Sequence, residues 1–306
     1  MRVFITGGTG LIGHRLIRQL VKRGDQVTVL SRRADAWERV GNDVMIVTGD
    51  PTQPGDWQSK LAECDAVVNL VGAGIFDQRW SNEYKAIIRD SRVKSTQNVV
   101  AALLASCKVL VSGSAIGFYG PHGDEELTEE SPAGNAFMAQ ICQEWEQAAR
   151  AAETKGVRVV LLRTGIVQDA EGGALAQLLL PFKLGAGGPV GMGLNPAKWG
   201  RQYWSWIHHA DEVGLALLAL DHPDARGAIN ATAPNPVTSK QYAKALGCVL
   251  GRPAFAPLPG LALRLMLGEV AQVITTGQRV LPAKALALGY RFQFPDLDAA
   301  LRDILR

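Results

Sequence analysis

Residues 2–13 read RVFITGGTGLIG, and no other stretch says as much about the architecture. The apolar run at 3–5 is short, rich in strand-forming residues, and ends just before a cluster of glycines. The apolar residues at 11–21 are then spaced by three and four, as on one face of a helix. The stretch therefore predicts a strand, a tight turn and a helix.

The glycines of this turn have the spacing G-x-x-G-x-x-G. In a strand-turn-helix unit, such glycines let the backbone turn sharply, approach a pyrophosphate closely and pack the helix against the sheet. The free amides of the first helical turn then face the phosphate charge. We expect a dinucleotide site here; the alternative is a glycine turn that binds nothing. The expected pyrophosphate contacts are Gly7, Thr9, Gly10, Leu11, Ile12 and Gly13.

The second predicted strand, 26–31, ends in Ser31, Arg32 and Arg33. An NAD-preferring site places Asp or Glu at this point to accept a hydrogen bond from the ribose 2′-hydroxyl. A hydroxyl and two guanidinium groups suit a 2′-phosphate instead, because arginine binds phosphate through paired donors. We therefore expect NADP(H), with Ser31 and Arg32 at the 2′-phosphate. The alternative is that both arginines are solvated loop charges.

Strand and helix patterns alternate through about residue 165, which is typical of a doubly wound parallel sheet. The expected fold class is α/β, a Rossmann sheet with a smaller C-terminal substrate lobe. We predict an NADP(H)-binding Rossmann domain at 1–166 and the substrate lobe at 167–306, with part of 203–234 returning to the sheet. The predicted strands lie at 3–5, 26–31, 43–48, 66–71, 109–111 and 157–162.

Two other strand ends point to the same ligand. The fourth predicted strand runs into the small-residue turn at 72–74, where open α/β sheets bind ligands. Leu70 and Val71 are therefore expected on the adenosine side. Asp50 follows the third strand, at a place near the adenine in folds of this type, although a cap for the next segment is equally consistent.

Composition excludes several classes of partner. The 306-residue chain has a net charge of +3 and no basic run, so we expect neither nucleic acid nor a membrane as partner. No apolar stretch reaches the roughly 18 residues of a membrane span, and no leader pattern precedes the first strand. The four cysteines are widely spaced, which predicts buried free thiols in a reducing compartment and hence the cytoplasm.

Several runs together resemble the extended short-chain dehydrogenase/reductase superfamily, and more narrowly its atypical "epimerase family" branch. The resemblance implies NAD(P) binding and redox or epimerase chemistry on a small molecule. Homodimers that form through two long helices are common in that family, and we expect one here. The runs are TGGTGLIG at 6–13, NLVGAGI at 69–75, SGSA at 112–115, LRTG at 162–165, GGALAQLLLPFKLGAGGPVG at 172–191, SWIHHADEV at 205–213, NATAPNPVT at 230–238 and GYRFQFPDLDAAL at 289–301.

The chain departs from that superfamily at its catalytic pair, a Tyr general acid/base with a Lys four residues later. The corresponding helix carries Phe137 and Ile141 at these positions. Phenylalanine cannot transfer a proton, and isoleucine cannot lower the pKa of an acid through positive charge. No Tyr-x-x-x-Lys occurs anywhere in 131–156, so the usual mechanism cannot operate.

Three residues are candidates for parts of the missing machinery. Ser114 lies near the superfamily's Ser/Thr that hydrogen-bonds the reacting oxygen, or else it caps a strand end. Tyr119, in the loop after that strand, is the best replacement proton donor, or else it packs. Arg92 stands where extended members commonly carry an Asn, and we expect it to contact the cofactor; the alternative is an ion pair with a helix neighbour such as Glu83 or Asp90.

The substrate is indicated only by an aromatic and basic cluster around Arg201, with Tyr203, Trp204 and Trp206 nearby. Such a cluster suits an anionic or ring-bearing molecule, or forms a packed hinge between lobes. The charges of Lys183 and Lys198 would add to it.

His208 and His209 are adjacent and lack the spacing of a metal motif, so we expect no metal.

Three functions are consistent with these residues. The first is an atypical oxidoreductase that takes its hydride from NADPH and acts on an unidentified small molecule. The second is a nucleotide-sugar epimerase or dehydratase that uses the cofactor transiently. The third is a catalytically silent NADP(H)-binding sensor or scaffold.

Overall fold

A seven-stranded parallel sheet forms the centre of the molecule. The computed structural model describes residues 1–191, 199–256 and 258–306, and every element named below lies in those ranges. The strands are β1 (Arg2–Thr6), β2 (Gln26–Ser31), β3 (Met45–Thr48), β4 (Ala66–Asn69), β5 (Val109–Ala115), β6 (Glu126–Leu127), β7 (Arg158–Thr164), β8 (Ile166–Gln168), β9 (Tyr203–Trp204), β10 (Trp206–His208), β11 (Gly227–Ala231), β12 (Val237–Thr238) and β13 (Arg279–Val280).

Helices cover the sheet and build the C-terminal region. They are α1 (Gly13–Lys22), α2 (Trp37–Val40), α3 (Asn82–Ala102), α4 (Phe137–Arg150), α5 (Gly173–Lys183), α6 (His209–Asp221), α7 (Ser239–Leu250), α8 (Gly260–Leu267), α9 (Ala271–Thr275), α10 (Ala283–Ala287) and α11 (Leu297–Ile304). Short 3-10 helices lie at Ala34–Ala36, Asp56–Glu63, Ile116–Tyr119, Ala151–Lys155 and Gly268–Val270.

The strand order in the main sheet is β11-β7-β5-β4-β1-β2-β3. The chain starts in β1, adds β2 and β3 on one side, then crosses back to add β4, β5, β7 and β11 on the other. The order reverses between β1 and β4, and ligands of open α/β sheets bind at the carboxyl ends of the strands at this point. The α/β Rossmann prediction is confirmed.

Both faces of the sheet are covered, which explains the continuous apolar run of the first strand. Val3, Phe4 and Ile5 are all buried, as are Leu16 and Ile17 of α1, which pack against the sheet. The third strand begins at Met45, two residues later than the sequence pattern predicts.

The C-terminal half contributes in two ways. β11 joins the main sheet through parallel pairing with β7. A second core then forms around Phe182, Trp206, Tyr242 and Leu301, which come from α5, β10, α7 and α11. The division of the chain at residue 166 stays a prediction.

The cysteine prediction is wrong in one position. Cys64, Cys107 and Cys142 are buried free thiols, but Cys248 is exposed, because it lies on the outer side of α7. No disulfide joins the four.

In the described ranges, no helix combines the length and the apolar character needed to cross a membrane.

Candidate dinucleotide-binding site

A cleft of about 510 Å³ opens at the carboxyl ends of β1, β2, β3 and β4. The glycine turn forms its floor, the end of β2 forms one wall, and the segment after β4 together with one face of α3 forms the other. The lining residues include Gly7, Thr9, Gly10, Ser31, Arg32, Arg33, Asp50, Thr52, Leu70, Val71, Gly72, Ala73, Ile87, Asp90, Ser91 and Lys94.

The glycine turn is too tightly packed to accept side chains at two of its positions. Gly7 has a φ of +74°, and a Cβ there would lie 2.7 Å from the carbonyl carbon and oxygen of Leu70. A Cβ on Gly13 would collide with the carbonyl oxygen of Gly7. The amide of Gly10 donates to that same oxygen at 3.0 Å. The turn therefore needs glycine to reach the end of β4 and to enter the helix.

The six predicted pyrophosphate residues divide into two groups. Gly7, Thr9 and Gly10 line the cleft. Leu11 faces Gly172, Ile12 packs against the core between α1 and the central sheet, and Gly13 is enclosed by the turn. Leu11, Ile12 and Gly13 therefore do not line the cleft; they shape the turn.

The two arginines after β2 have different surroundings. Arg33 donates to both carboxylate oxygens of Asp35, at 2.8 and 2.5 Å, and its guanidinium lowers the pKa of that carboxyl. The Ser31 hydroxyl accepts from the amide of Arg33 at 3.1 Å. Arg32 is exposed and, among the described residues, has no ion pair or side-chain hydrogen bond. Arg32 is therefore the guanidinium available to a ligand.

Hydrogen bonds from α3 hold the opposite wall. The amide of Ala73 donates to the Ser91 hydroxyl at 3.0 Å, and the carbonyl of Ala73 accepts from Nη2 of Arg92 at 3.0 Å. Arg92 also donates to the carbonyl of Ile88 at 2.9 Å and lies over the Trp145 ring, 5.5 Å from its centroid.

Arg92 has no carboxylate partner among the described residues. Asp90 pairs with Lys94 and Arg89 instead, so the alternative expected from sequence, an ion pair on the helix, does not form with it. Burial lowers the pKa of Arg92, because the charged guanidinium loses hydration. The guanidinium lies beside Gly72, directly behind the cleft wall.

The two candidate catalytic hydroxyls belong to one buried polar network. Ser114 donates to Glu146 at 2.7 Å, and Arg163 binds both oxygens of that carboxylate at 2.8 and 2.9 Å. Tyr119 donates to Asn230 at 2.6 Å and accepts from Arg163 at 3.0 Å. All five side chains are buried, and burial raises the pKa of Tyr119. The network is internally paired, and the catalytic roles of both hydroxyls stay predictions.

The comparisons with known proteins agree with this architecture. Residues 3–231 match the NAD dependent epimerase/dehydratase family. The chain belongs to that family. Residues 258–304 also match a domain of unknown function, DUF1731.

Three proteins similar to this epimerase/dehydratase family member have the following identities and coverages. The "Epimerase family protein SDR39U1 homolog, chloroplastic" of Arabidopsis thaliana is 39% identical over 100% of this chain and 87% of its own. The crystal structure of human epimerase family protein SDR39U1 with NADPH has a TM-score of 0.85 and 34% identity, covering 99% of each chain. A nucleoside-diphosphate sugar epimerase from Corynebacterium glutamicum has a TM-score of 0.77 and 31% identity, covering 99% of this chain and 58% of that one.

In this family member, Phe137 and Ile141, which the sequence resemblance aligns with the superfamily's Tyr and Lys, pack among other side chains. Phe137 packs edge-on against Trp80, with ring centroids 5.1 Å apart, and the ammonium of Lys85 lies 5.2 Å from its ring centroid. Ile141 is buried with Tyr84 and its neighbours on α3. Neither side chain carries a group that could transfer a proton or lower the pKa of an acid.

The expected substrate cluster is mostly packed. Trp204 and Trp206 are buried in the second core, and their indole N–H groups donate to the carbonyls of Ile274 and Asn235 at 3.3 and 3.1 Å. Arg201 is exposed, and Lys198 lies outside the described residues. The geometry favours the packed hinge for both tryptophans.

The histidine pair lies at the start of α6, where His208 is buried and His209 is half-buried. His208 accepts from the amide of Ala210 at 3.0 Å, and burial lowers its pKa to about 4, so it is neutral at pH 7. In the part of the chain that the structure describes, no three potential ligands converge on one point.

Sequence reasoning proposed Arg92 of α3 as a cofactor contact but missed the four α3 residues that line the cleft. Ile87, Asp90, Ser91 and Lys94 are spaced by three and four, so they share one face of the helix. That spacing was a usable signal, but it does not by itself show that the face is turned toward a ligand.

Proposed function

We propose that this protein binds NADP(H) in the cleft and is an oxidoreductase that acts on a small molecule. The observation that carries the proposal is the exposed Arg32 just after β2, which has no ion pair among the described residues and lines the same cleft as the glycine turn. A cation at that point suits a 2′-phosphate, where an NAD site has a carboxylate. The human relative crystallised with NADPH supports the same cofactor.

The residues of the cleft fit such a dinucleotide. Gly7 and Gly10 leave the floor open to the backbone approach that a pyrophosphate needs. Ser31 and Arg32 are proposed at the 2′-phosphate, and Leu70 and Val71 against the adenosine. NADPH supplies a hydride when it is bound. Arg92, behind Gly72 and Ala73, would keep positive charge beside the cofactor while its hydrogen bonds hold the wall.

Proton transfer requires a group other than the missing Tyr and Lys. Ser114 and Tyr119 stay our proposals for orienting and protonating the reacting oxygen. For Tyr119, the role requires that its bond to Asn230 breaks during the reaction, since its hydroxyl is buried and doubly paired. Geometry comes before pKa in such an assignment.

Each alternative function has one specific observation in its favour. The Corynebacterium glutamicum protein called a nucleoside-diphosphate sugar epimerase supports transient use of the cofactor, with oxidised cofactor retained through turnover. The replacement of Tyr and Lys by Phe137 and Ile141 supports a silent NADP(H)-binding sensor or scaffold. We further propose a homodimer through α3 and α4, and a cytoplasmic location, which the four unpaired cysteines support.

Titration calorimetry of two matched variants tests the cofactor assignment. Arg32→Ala should weaken NADPH binding about 10- to 30-fold, the value of a charge-assisted hydrogen bond at a solvent-accessible site, and leave NADH binding nearly unchanged. Arg33→Ala removes the same charge from a side chain that Asp35 already holds, so its effect should be smaller. Equal losses for NADPH and NADH in Arg32→Ala would contradict the proposal.

A further inference from the structure

Helix α8 (Gly260–Leu267) is apolar on several sides, yet none of its residues is buried. Leu261, Leu265 and Met266 are 59%, 71% and 69% exposed. A helix that is apolar around its circumference is ordinarily enclosed. Short helices depend on tertiary packing for stability, and α8 has little of it. Leu263 packs against the second core but stays half-buried, so the contacts at the two ends of the helix contribute much of what holds it.

The contacts at the two ends of α8 differ in kind. At its start, Gly260 lies so close to the carbonyl of Gly191 that a Cβ would be 2.5 Å from that oxygen. At its end, the guanidinium of Arg79 donates to the carbonyls of Leu265 and Met266, the latter at 3.0 and 2.7 Å. A cation at the last turn also interacts favourably with the helix dipole.

A second charged contact lies just beyond the helix. Lys85, in the first turns of α3, forms an ion pair with Glu269. Between helix and ion pair, Gly268 has a φ of +72°, a conformation that favours glycine, and the chain turns there. The end of α8 is therefore attached to α3 and to the segment before it by the exposed Arg79 and by the ion pair of the half-buried Lys85.

Arg79 belongs to the segment that forms the cleft wall. The first four residues of this segment, 70–81, line the cleft, Gly72 and Ala73 among them. Two hydrogen bonds hold this segment in place. The hydroxyl of Tyr84 donates to the carbonyl of Gly74 at 2.6 Å, and the indole of Trp80 donates to the carbonyl of Ile75 at 2.9 Å. The cleft wall and α8 are thus joined through one short, internally bonded segment.

We propose that α8 is a lid joined to the cleft wall through segment 70–81, latched by Arg79, and that a dinucleotide bound against Gly72 and Ala73 closes it. The proposal rests on the proposed function. Exposed ion pairs and charge-dipole contacts are individually weak, so the open and closed lid are close in free energy. A ligand that orders segment 70–81 then favours the closed lid through the same contacts, as differential affinity requires.

Hydrogen exchange measured by mass spectrometry on the whole chain tests the lid. Without cofactor, Arg79→Ala should raise the exchange rate of amides in 260–270 about fivefold relative to wild type, the effect of one lost charge-dipole contact. Saturating NADPH should slow exchange of this peptide in wild type, and have little effect on it in Arg79→Ala. Arg79 is exposed, so the variant should fold normally.

Two variants and one internal control separate the alternatives. Arg264→Ala removes a charge from α8 itself without touching segment 70–81, and should leave the response to NADPH intact. Arg79→Lys keeps the charge without the forked donors, and should restore part of the latch. Protection of peptides covering 1–13 and 70–75 reports cofactor binding separately, so failure of binding is distinguishable from failure of the lid. The lid is refuted if α8 exchanges equally in wild type and Arg79→Ala, or if bound NADPH protects 1–13 and leaves 260–270 unchanged.

Discussion

Glu212 is a buried carboxyl that should make the free energy of unfolding depend on pH. The side chain is fully buried on α6, Oε1 accepts from the Thr164 hydroxyl at 2.8 Å, and Oε2 has no hydrogen-bond partner among the described residues. Burial raises the pKa of Glu212 from 4.5 to about 8, because the carboxylate would lose its hydration. The folded protein therefore holds this carboxyl protonated at neutral pH.

The sign of the stability effect follows from proton linkage. The folded state keeps this proton up to about pH 8, whereas the unfolded chain releases it near pH 4.5. Between these values the unfolded state binds fewer protons, so the free energy of unfolding falls as the pH rises. One pKa unit corresponds to ~1.4 kcal/mol, so Glu212 lowers the free energy of unfolding by up to about 5 kcal/mol across this window and by no more above it.

Urea unfolding of wild type and Glu212→Gln at pH 5, 6, 7, 8 and 9 measures this effect. Glutamine keeps an oxygen that can accept from Thr164 and removes the titration, while all other groups titrate alike in both proteins. The difference in free energy of unfolding should shift steadily in favour of the variant up to about pH 8 and then level off. A difference that does not change with pH would refute the reasoning.

Three further variants test the turn, the wall and the buried network. Gly13→Ala should cost about 1–3 kcal/mol of stability through its collision with Gly7, whereas Gly123→Ala, which meets open space, should cost little in the same urea titration. Arg92→Gln should weaken NADPH binding about tenfold by calorimetry through loss of its bond to the cleft wall, and unchanged affinity would contradict that role. Tyr119→Phe should lower the free energy of unfolding by about 1–3 kcal/mol, because it leaves buried partners unpaired; wild-type stability would show that the network does not need this hydroxyl.

The sheet and the glycine turn were predictable because both depend on local patterns of the sequence. Strand-forming runs that alternate with helical spacing indicate a parallel sheet, and a glycine turn after the first strand places the dinucleotide site at a known point of that sheet. That the residues at the end of β2 would line the same cleft was predictable for the same reason.

The contacts that distinguish one candidate residue from another were not predictable. Asp35 pairs with Arg33, whereas Arg32 has no ion pair within the described ranges, and the order of the residues does not show which arginine is held. Ser114 meets Glu146 across 32 positions of sequence, and Arg79 meets Met266 across 187. Such pairs depend on how the elements pack, and periodicity carries no information about them.

The most direct test of the account is calorimetric binding of NADPH, NADP, NADH and NAD to the purified protein, after absorbance has shown whether a cofactor co-purifies. NADPH and NADP should bind at least about tenfold more tightly than NADH and NAD, because only they bring a 2′-phosphate to Arg32. Binding of none of the four, or tighter binding of NAD and NADH, would contradict the proposed NADP(H) site.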